Sequence, residues 1–264
     1  MSFNVREVAE FIINWLDDYS AKSGIDSFVV GVSGGIDSAV TASLCARTGR
    51  ATFILNMPIH QHPSEVDRSD ELISNLVSEY SNVTALEVSL TEVYEAFKSS
   101  LPDTQDKSCG LAMANTRARL RMTTLYALAA ERGALVVGTG NKIEDFGIGF
   151  YTKYGDGGVD ISPIADLVKT EVYQVGSALG VPKSIMDAAP TDGLWGDNRN
   201  DEDQIGATYS ELEKAMNQAE EFQNGKGSPD DLEGREAEVF AIYTKLNRAN
   251  QHKMLPIPVC VIPR

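Results

Sequence analysis

Positive charge, cysteine and long apolar runs are all scarce in this chain, and each shortage closes off a class of protein. Lysine and arginine number 23 against 38 aspartates and glutamates, a formal net charge of -15. That balance disfavours broad binding to nucleic-acid phosphates, yet it leaves room for a small anion held by a few local cations. Cys45, Cys109 and Cys260 are odd in number, far apart and without metal-ligand spacing, so they read as reduced thiols rather than a disulfide framework or a zinc site. No stretch approaches the roughly 18 to 20 apolar residues of a membrane span. Residues 1–20 carry no basic segment followed by an apolar core, so no signal peptide is read there. The expectation is a soluble, cytoplasmic protein with neither a membrane nor a nucleic-acid partner.

What the chain does have is enough apolar material for one large α/β domain, 42% of 264 residues. No internal repeat or shift in composition marks a second domain, so residues 1–264 are read as a single one. Short β-branched runs at 27–32, 51–57, 83–88 and 134–138 alternate with helical patterns at 5–19, 39–46, 64–80, 90–101 and 111–132. That alternation predicts a largely parallel, Rossmann-like sheet with helices on both faces, binding its ligand beyond the carboxyl ends of the strands. Further helices are expected near 170–179, 210–223 and 232–250, with a flexible loop at 192–203. On the first helix, Trp15 reads as core packing. His60 and His62 have no third ligand in sight and read as loop residues. Three prolines after residue 254 rule out a regular interior element there.

The stretch that organises the rest is Ser33, Gly34, Gly35, Ile36, Asp37 and Ser38, placed where the first strand turns into a helix. Backbone N–H groups at a helix start have no intrahelical partner, and paired glycines let a phosphate approach them closely. Ser33 and Ser38 would add hydroxyl donors. A plain Gly-Gly turn capped by Ser33 would explain the glycines, but Asp37 would then repel any anion bound beside it. A bridging divalent cation removes that conflict. The glycines are followed by no lysine, so this is not a Walker loop. The hexapeptide resembles the PP-loop of the N-type ATP pyrophosphatases, enzymes that adenylate a substrate and release pyrophosphate.

Later segments narrow the choice. Arg117 and Arg121 share one face of the 111–132 helix, while Arg119 lies roughly 200° from Arg117, so the three cannot serve one site together. Surface charge would account for any one of them. The runs N-T-R-A-R-L-R-M from Asn115, V-V-G-T from Val136, Y-T-K-Y-G-D-G-G-V-D from Tyr151, P-I-A-D-L-V-K-T-E-V from Pro163 and P-T-D-G-L from Pro190, with His252-Lys253 near the end, resemble the ammonia-dependent NAD synthetases over nearly the whole chain.

That resemblance implies a ligase that converts deamido-NAD to NAD with ATP, Mg²⁺ and ammonia, through an adenylated intermediate. By the same resemblance Gly31, Val32, Ser33, Gly34, Gly35, Ile36, Asp37 and Ser38 hold ATP and its pyrophosphate, aided by Thr139, Thr191 and Lys169. Asp37 and Glu144 share the metal, and Lys169 stands in for the missing Walker lysine. Arg119, Lys153, Asp160, His252 and Lys253 take deamido-NAD, and Asp156 handles the ammonia proton or simply forms its turn. One residue more than the family spacing separates Glu144 from Lys153, which predicts a bulged loop. After Thr191 the run D-G-L-W-G-D-N-R-N departs from the family pattern, and Trp195 there reads either as a base-stacking residue or as lid packing. The tail lacks the usual dibasic run after Lys253. Only about 25 residues precede the first strand, so a glutamine amidase domain is not expected there. The resemblance also implies a homodimer, to which Phe11, Trp15 or the 111–132 helix could contribute. Two rivals remain at this point, another PP-loop adenylating ligase and a catalytically silent nucleotide-binding protein.

Overall fold

Residues 3–102, 109–191 and 200–263 are described by a computed structural model. Four parallel strands, β1 (Ser27–Gly31), β2 (Ala51–Asn56), β3 (Val83–Glu87) and β4 (Leu135–Val136), lie in the order β3-β2-β1-β4. Helix α1 (Val5–Ser23) precedes the sheet, and α2 (Ile36–Arg47), α3 (Pro63–Glu79), α4 (Thr91–Ser100) and α5 (Cys109–Arg132) connect its strands. After β4 come a π-helical turn at Ile143–Ile148 and then α6 (Lys169–Leu179), α7 (Lys183–Met186), α8 (Asp201–Ile205), α9 (Tyr209–Gln223) and α10 (Gly234–Met254).

Because successive strand residues point to opposite faces, the apolar runs sort into two cores. Phe28, Val30 and Ile54 pack with Leu16, Leu44, Leu72 and Val172 on one side. Val29, Leu55 and Val136 pack with Tyr94, Met122 and Leu125 on the other. Helices cover both faces of a parallel sheet, as its doubly apolar strands require. A third cluster of Ile143, Ile148, Tyr209, Leu212 and Tyr243 ties the π-helical turn to α9 and α10. From β1 the chain moves outward to β2 and β3, whereas β4 is added on β1's other side. The loops after β1 and β4 therefore diverge, and they leave a crevice between them.

Two expectations change. Trp15 is not core: it is 37% exposed and lies 5.5 Å from the Tyr19 ring, with Phe11 70% exposed on the same helix. The buried line of α1 runs through Ala9, Ile12, Leu16 and Ser20, and Trp15 stands one residue, about 100°, off it. The segment after Glu144, where a bulged loop is expected, starts in a π-helical turn that is wider than an α-helix. Asn247, Asn250 and Lys253 of α10 donate to the carbonyls of Gly147, Ile148 and Gly149, meeting acceptors that the end of a helix leaves open. Of the loop expected at 192–203, residues 192–199, Trp195 among them, lie outside the described residues. Its last part is helical in α8, capped by Asn200, whose side chain accepts from the Asp203 amide. After α10 the chain runs on without a regular element, and Leu255, Ile257, Val259 and Val261 are exposed.

Candidate active site

The turn after β1 is shaped by glycine. Gly34 has φ +81°, and a Cβ placed there would stand 2.5 Å from the Glu65 carbonyl oxygen, so no other residue fits without moving α3. Gly35 follows as the N-cap of α2, whose first N–H groups face outward without intrahelical partners. The Ser33 and Ser38 hydroxyls lie 3.1 Å apart. Ser38 Oγ also accepts from the Ser33 amide and donates to the Gly35 carbonyl. The two serines thus brace the turn itself.

Below the turn, three charges gather from distant parts of the chain. Lys169 Nζ, buried at the start of α6, donates to Asp37 Oδ2 at 2.5 Å and to Glu144 Oε1 at 3.1 Å. Burial works against the Lys169 charge, but the two carboxylates outweigh it and hold the ammonium well above the usual lysine range. For Asp37, burial raises the pKa, the Lys169 charge pulls it back and Glu144 pushes it up again, with a net rise. Asn141 is fully buried and holds the group together, donating to Asp37 while its oxygen accepts from the Ile143 and Glu144 amides. Tyr209 donates to Glu144 Oε1 at 2.5 Å, and its ring lies 4.7 Å from Lys169 Nζ. Both carboxylates reach a single cation, and they adjoin the glycine turn. Two hard carboxylate oxygens side by side form a donor set that suits a divalent ion such as Mg²⁺.

Three hollows adjoin this centre. The first, about 210 Å³, lies in the crevice between β1 and β4 and is lined by Gly31, Val32, Ser33, Thr139, Arg121 and Asp156. The second lies over the turn and gathers Gly34, Gly35, Asp37, Glu144, Lys169 and Thr191, with Arg68 opposite. The third is a wider groove with Tyr126, Tyr151, Lys153, Tyr154, Lys253 and Leu255. Asp156 lines both the first and the second, and its carboxylate also accepts from the Thr152 amide, so it braces its turn while bordering both hollows.

Most of the residues singled out in the sequence therefore converge. Arg119 Nε donates to the Lys153 carbonyl at 3.3 Å, and Lys153 Nζ in turn donates to the His252 carbonyl. Asp160 sits just behind the third hollow: its carboxylate accepts from the Tyr126 hydroxyl, which borders that hollow, and from the Val136 amide, pinning β4 in place. Four residues of the centre escape sequence reasoning. Asn141 and Tyr209 carry no motif. Arg68 sits on a helix read only for its periodicity. Asp145, next to Glu144, lies so close to Gly140 that a Cβ there would come within 2.2 Å of its carboxylate oxygens. Burial, reinforced by Glu144, Asp156 and Asp37, pushes its pKa up to about 8. Only the glycine at 140 could have hinted at that close approach.

Comparison with known proteins adds to the geometry. The family profile described as NAD synthase matches residues 8–256. An NH(3)-dependent NAD(+) synthetase from Carboxydothermus hydrogenoformans is 37% identical over 255 residues, covering 96% of each chain. One from Methanococcoides burtonii is 38% identical over 213 residues, covering 81% of this chain and 79% of that one. Among solved structures, an NMN synthetase from Francisella tularensis is 33% identical, with a TM-score of 0.81 over 99% of each chain. An NH3-dependent NAD synthetase from Campylobacter jejuni, in complex with the nitrate ion, shares the fold at 24% identity, with a TM-score of 0.77 over 98% of this chain and 100% of that one.

Proposed function

The chain belongs to the NAD synthase family, and from that premise we propose that it amidates deamido-NAD with ammonia to give NAD, converting ATP to AMP and pyrophosphate. The observation that carries this reading is the junction at one crevice of a glycine turn built for phosphate, a Lys169–Asp37–Glu144 centre and Asp156.

In the first step a nicotinate carboxylate oxygen attacks the α-phosphorus of ATP. The bond to the β-phosphate oxygen breaks, and pyrophosphate leaves with the electron pair. In the second, ammonia attacks the activated carbonyl carbon, AMP departs with the bonding pair and nitrogen loses a proton. The turn from Gly31 to Ser38 binds the phosphates, Thr139 and Thr191 border the nucleotide, and Lys153 and Lys253 face the dinucleotide groove. Asp156, between the two inner hollows, is placed to accept the proton lost by nitrogen. Asp37 and Glu144 would hold Mg²⁺, which when bound offsets the charge of the phosphates. Lys169 keeps both carboxylates aimed through its two hydrogen bonds. Much of the rate gain assigned to such a site is positioning and fixed electrostatics. We place the reaction in the cytoplasm and in a homodimer, with the exposed Phe11 and Trp15 of α1 as apolar interface candidates. Sedimentation of the Phe11→Glu variant checks the latter, and an unchanged oligomer removes that surface from consideration.

A second reading concerns the acid that is amidated. The NMN synthetase fold match covers nearly all of both chains, which favours testing nicotinate mononucleotide beside the dinucleotide. The deciding experiment supplies each acid with ATP, Mg²⁺ and either ammonium or glutamine, and follows amide, AMP and pyrophosphate. A higher kcat/KM for deamido-NAD with ammonium supports the proposal; preference for the mononucleotide moves the assignment to NMN formation. Amidation of neither, with ATP still bound, overturns both.

A further inference from the structure

The leaving group of the proposed first step carries three to four negative charges, and the lysine expected to meet them is already committed. Lys169 is only 4% exposed and is hydrogen-bonded to both Asp37 and Glu144. Its charge is spent on those carboxylates, so the turn needs another cation. Arg68, on the second turn of α3, lines the same hollow as Ser33, Gly34, Gly35, Lys169 and Thr191. Its Nε donates to the Gly34 carbonyl at 3.1 Å, which fixes the plane of the guanidinium against the turn.

The surroundings leave the rest of that group available. The acidic neighbour one helical turn before it, Glu65, is engaged by Gln61. Among the described residues neither terminal nitrogen of Arg68 makes a hydrogen bond or an ion pair. A planar guanidinium with two outward N–H edges matches phosphate oxygens in a way that a point-charge ammonium does not. The Gly34 contact has a second effect, since it occupies a carbonyl of the turn that would otherwise be an unpaired negative dipole beside an anion.

We propose that Arg68 is a phosphate-binding residue of this centre, gripping the terminal phosphates of ATP and then the pyrophosphate that departs. The proposal rests on the reading of the site as an ATP pyrophosphatase centre, and it adds to that reading a cation on α3 that none of the motifs contains. In the first step the electron pair of the broken P–O bond ends on the β-phosphate oxygen, and the guanidinium shares the charge that builds there.

Calorimetric titration of the full chain with pyrophosphate and Mg²⁺ tests this without turnover. Arg68→Gln keeps an amide donor for the Gly34 carbonyl and removes the charge; Arg68→Lys restores charge without the fork. The expected result is roughly tenfold or greater weakening in Arg68→Gln, the scale of a lost charged hydrogen bond, with partial recovery in Arg68→Lys. The KM for ATP should rise while that for the nicotinate acid holds. Pyrophosphate affinity unchanged in Arg68→Gln overturns the proposal, as does a wild-type chain that binds no pyrophosphate. A purely structural strut would lower the thermal midpoint of both variants and leave pyrophosphate affinity in the folded fraction untouched. If pyrophosphate binds through Arg68 but neither acid is amidated, the assignment of Arg68 stands and the proposed reaction falls.

Discussion

Asp37 and Lys169 look interchangeable as site charges, but their substitutions should fail in different ways. Asp37→Asn leaves Lys169 paired with Glu144, so the fold should persist while turnover falls by about two to three orders of magnitude, the scale of a lost preorganised charge. Steady-state kinetics at saturating Mg²⁺ checks this, and near-normal turnover would remove Asp37 from the centre. Lys169→Met strands two partly buried carboxylates around the buried place the ammonium held. Breaking a buried ion network by removing one partner costs about 3–5 kcal/mol, which urea unfolding should register before any assay is run. The same environment explains why Tyr209 keeps its proton: burial, then the nearby Glu144 and Asp201 charges, push its pKa far up, so it acts as a donor to Glu144.

Elements were legible where the chain obeys one period and obscure where two parts of it must meet. The strands at 27–31 and 51–56 and the turn between strand and helix could be read because alternation and paired glycines are local signals. The crevice could be placed because parallel sheets put it at strand ends. Asn141 and Tyr209 were illegible because their roles depend on groups 65 to 104 residues away, and no local pattern encodes such a meeting. Trp15 was misjudged for a related reason: its apolarity is local, but which stripe of α1 meets α2 and α6 is not. The π-helical turn was illegible for the same reason, because the group that meets its Gly147 carbonyl, Asn247 of α10, lies 100 residues further on. Helix α9 offers a test at this scale. Thr208 and Glu211 form its capping box, and Arg235, with the Thr208 amide, holds the Glu211 carboxyl down from 4.5 to about 2. A depressed carboxyl contributes stability above its unfolded pKa and loses it as pH falls through the folded one. Glu211→Gln should therefore lower the thermal midpoint modestly near neutral pH, since the pair lies at the surface. The gap to wild type should narrow between pH 4.5 and about 2; a gap that stays constant over that range would locate the effect elsewhere.

For the whole molecule, the net charge of -15 sets the problem of admitting a polyanionic substrate into an acidic protein. Local cations solve it: Arg68, Arg121, Lys153 and Lys253 border the three hollows. Raising ionic strength should consequently weaken nucleotide affinity less than it would for a protein steered by a basic surface, since groups in partly buried hollows are poorly screened. Isothermal titration of ATP across a salt series checks the slope. The Lys169–Asp37–Glu144 arrangement carries a different consequence. Centres that borrow their cohesion from a bound ion collapse when it is stripped away, but here an internal ammonium already answers both acids. Treatment with a chelator should stop the reaction and leave the melting curve in place, and a large fall in the midpoint would contradict that. On the proposed reading, the protein would idle fully assembled through scarcity of metal or nucleotide and resume work without refolding.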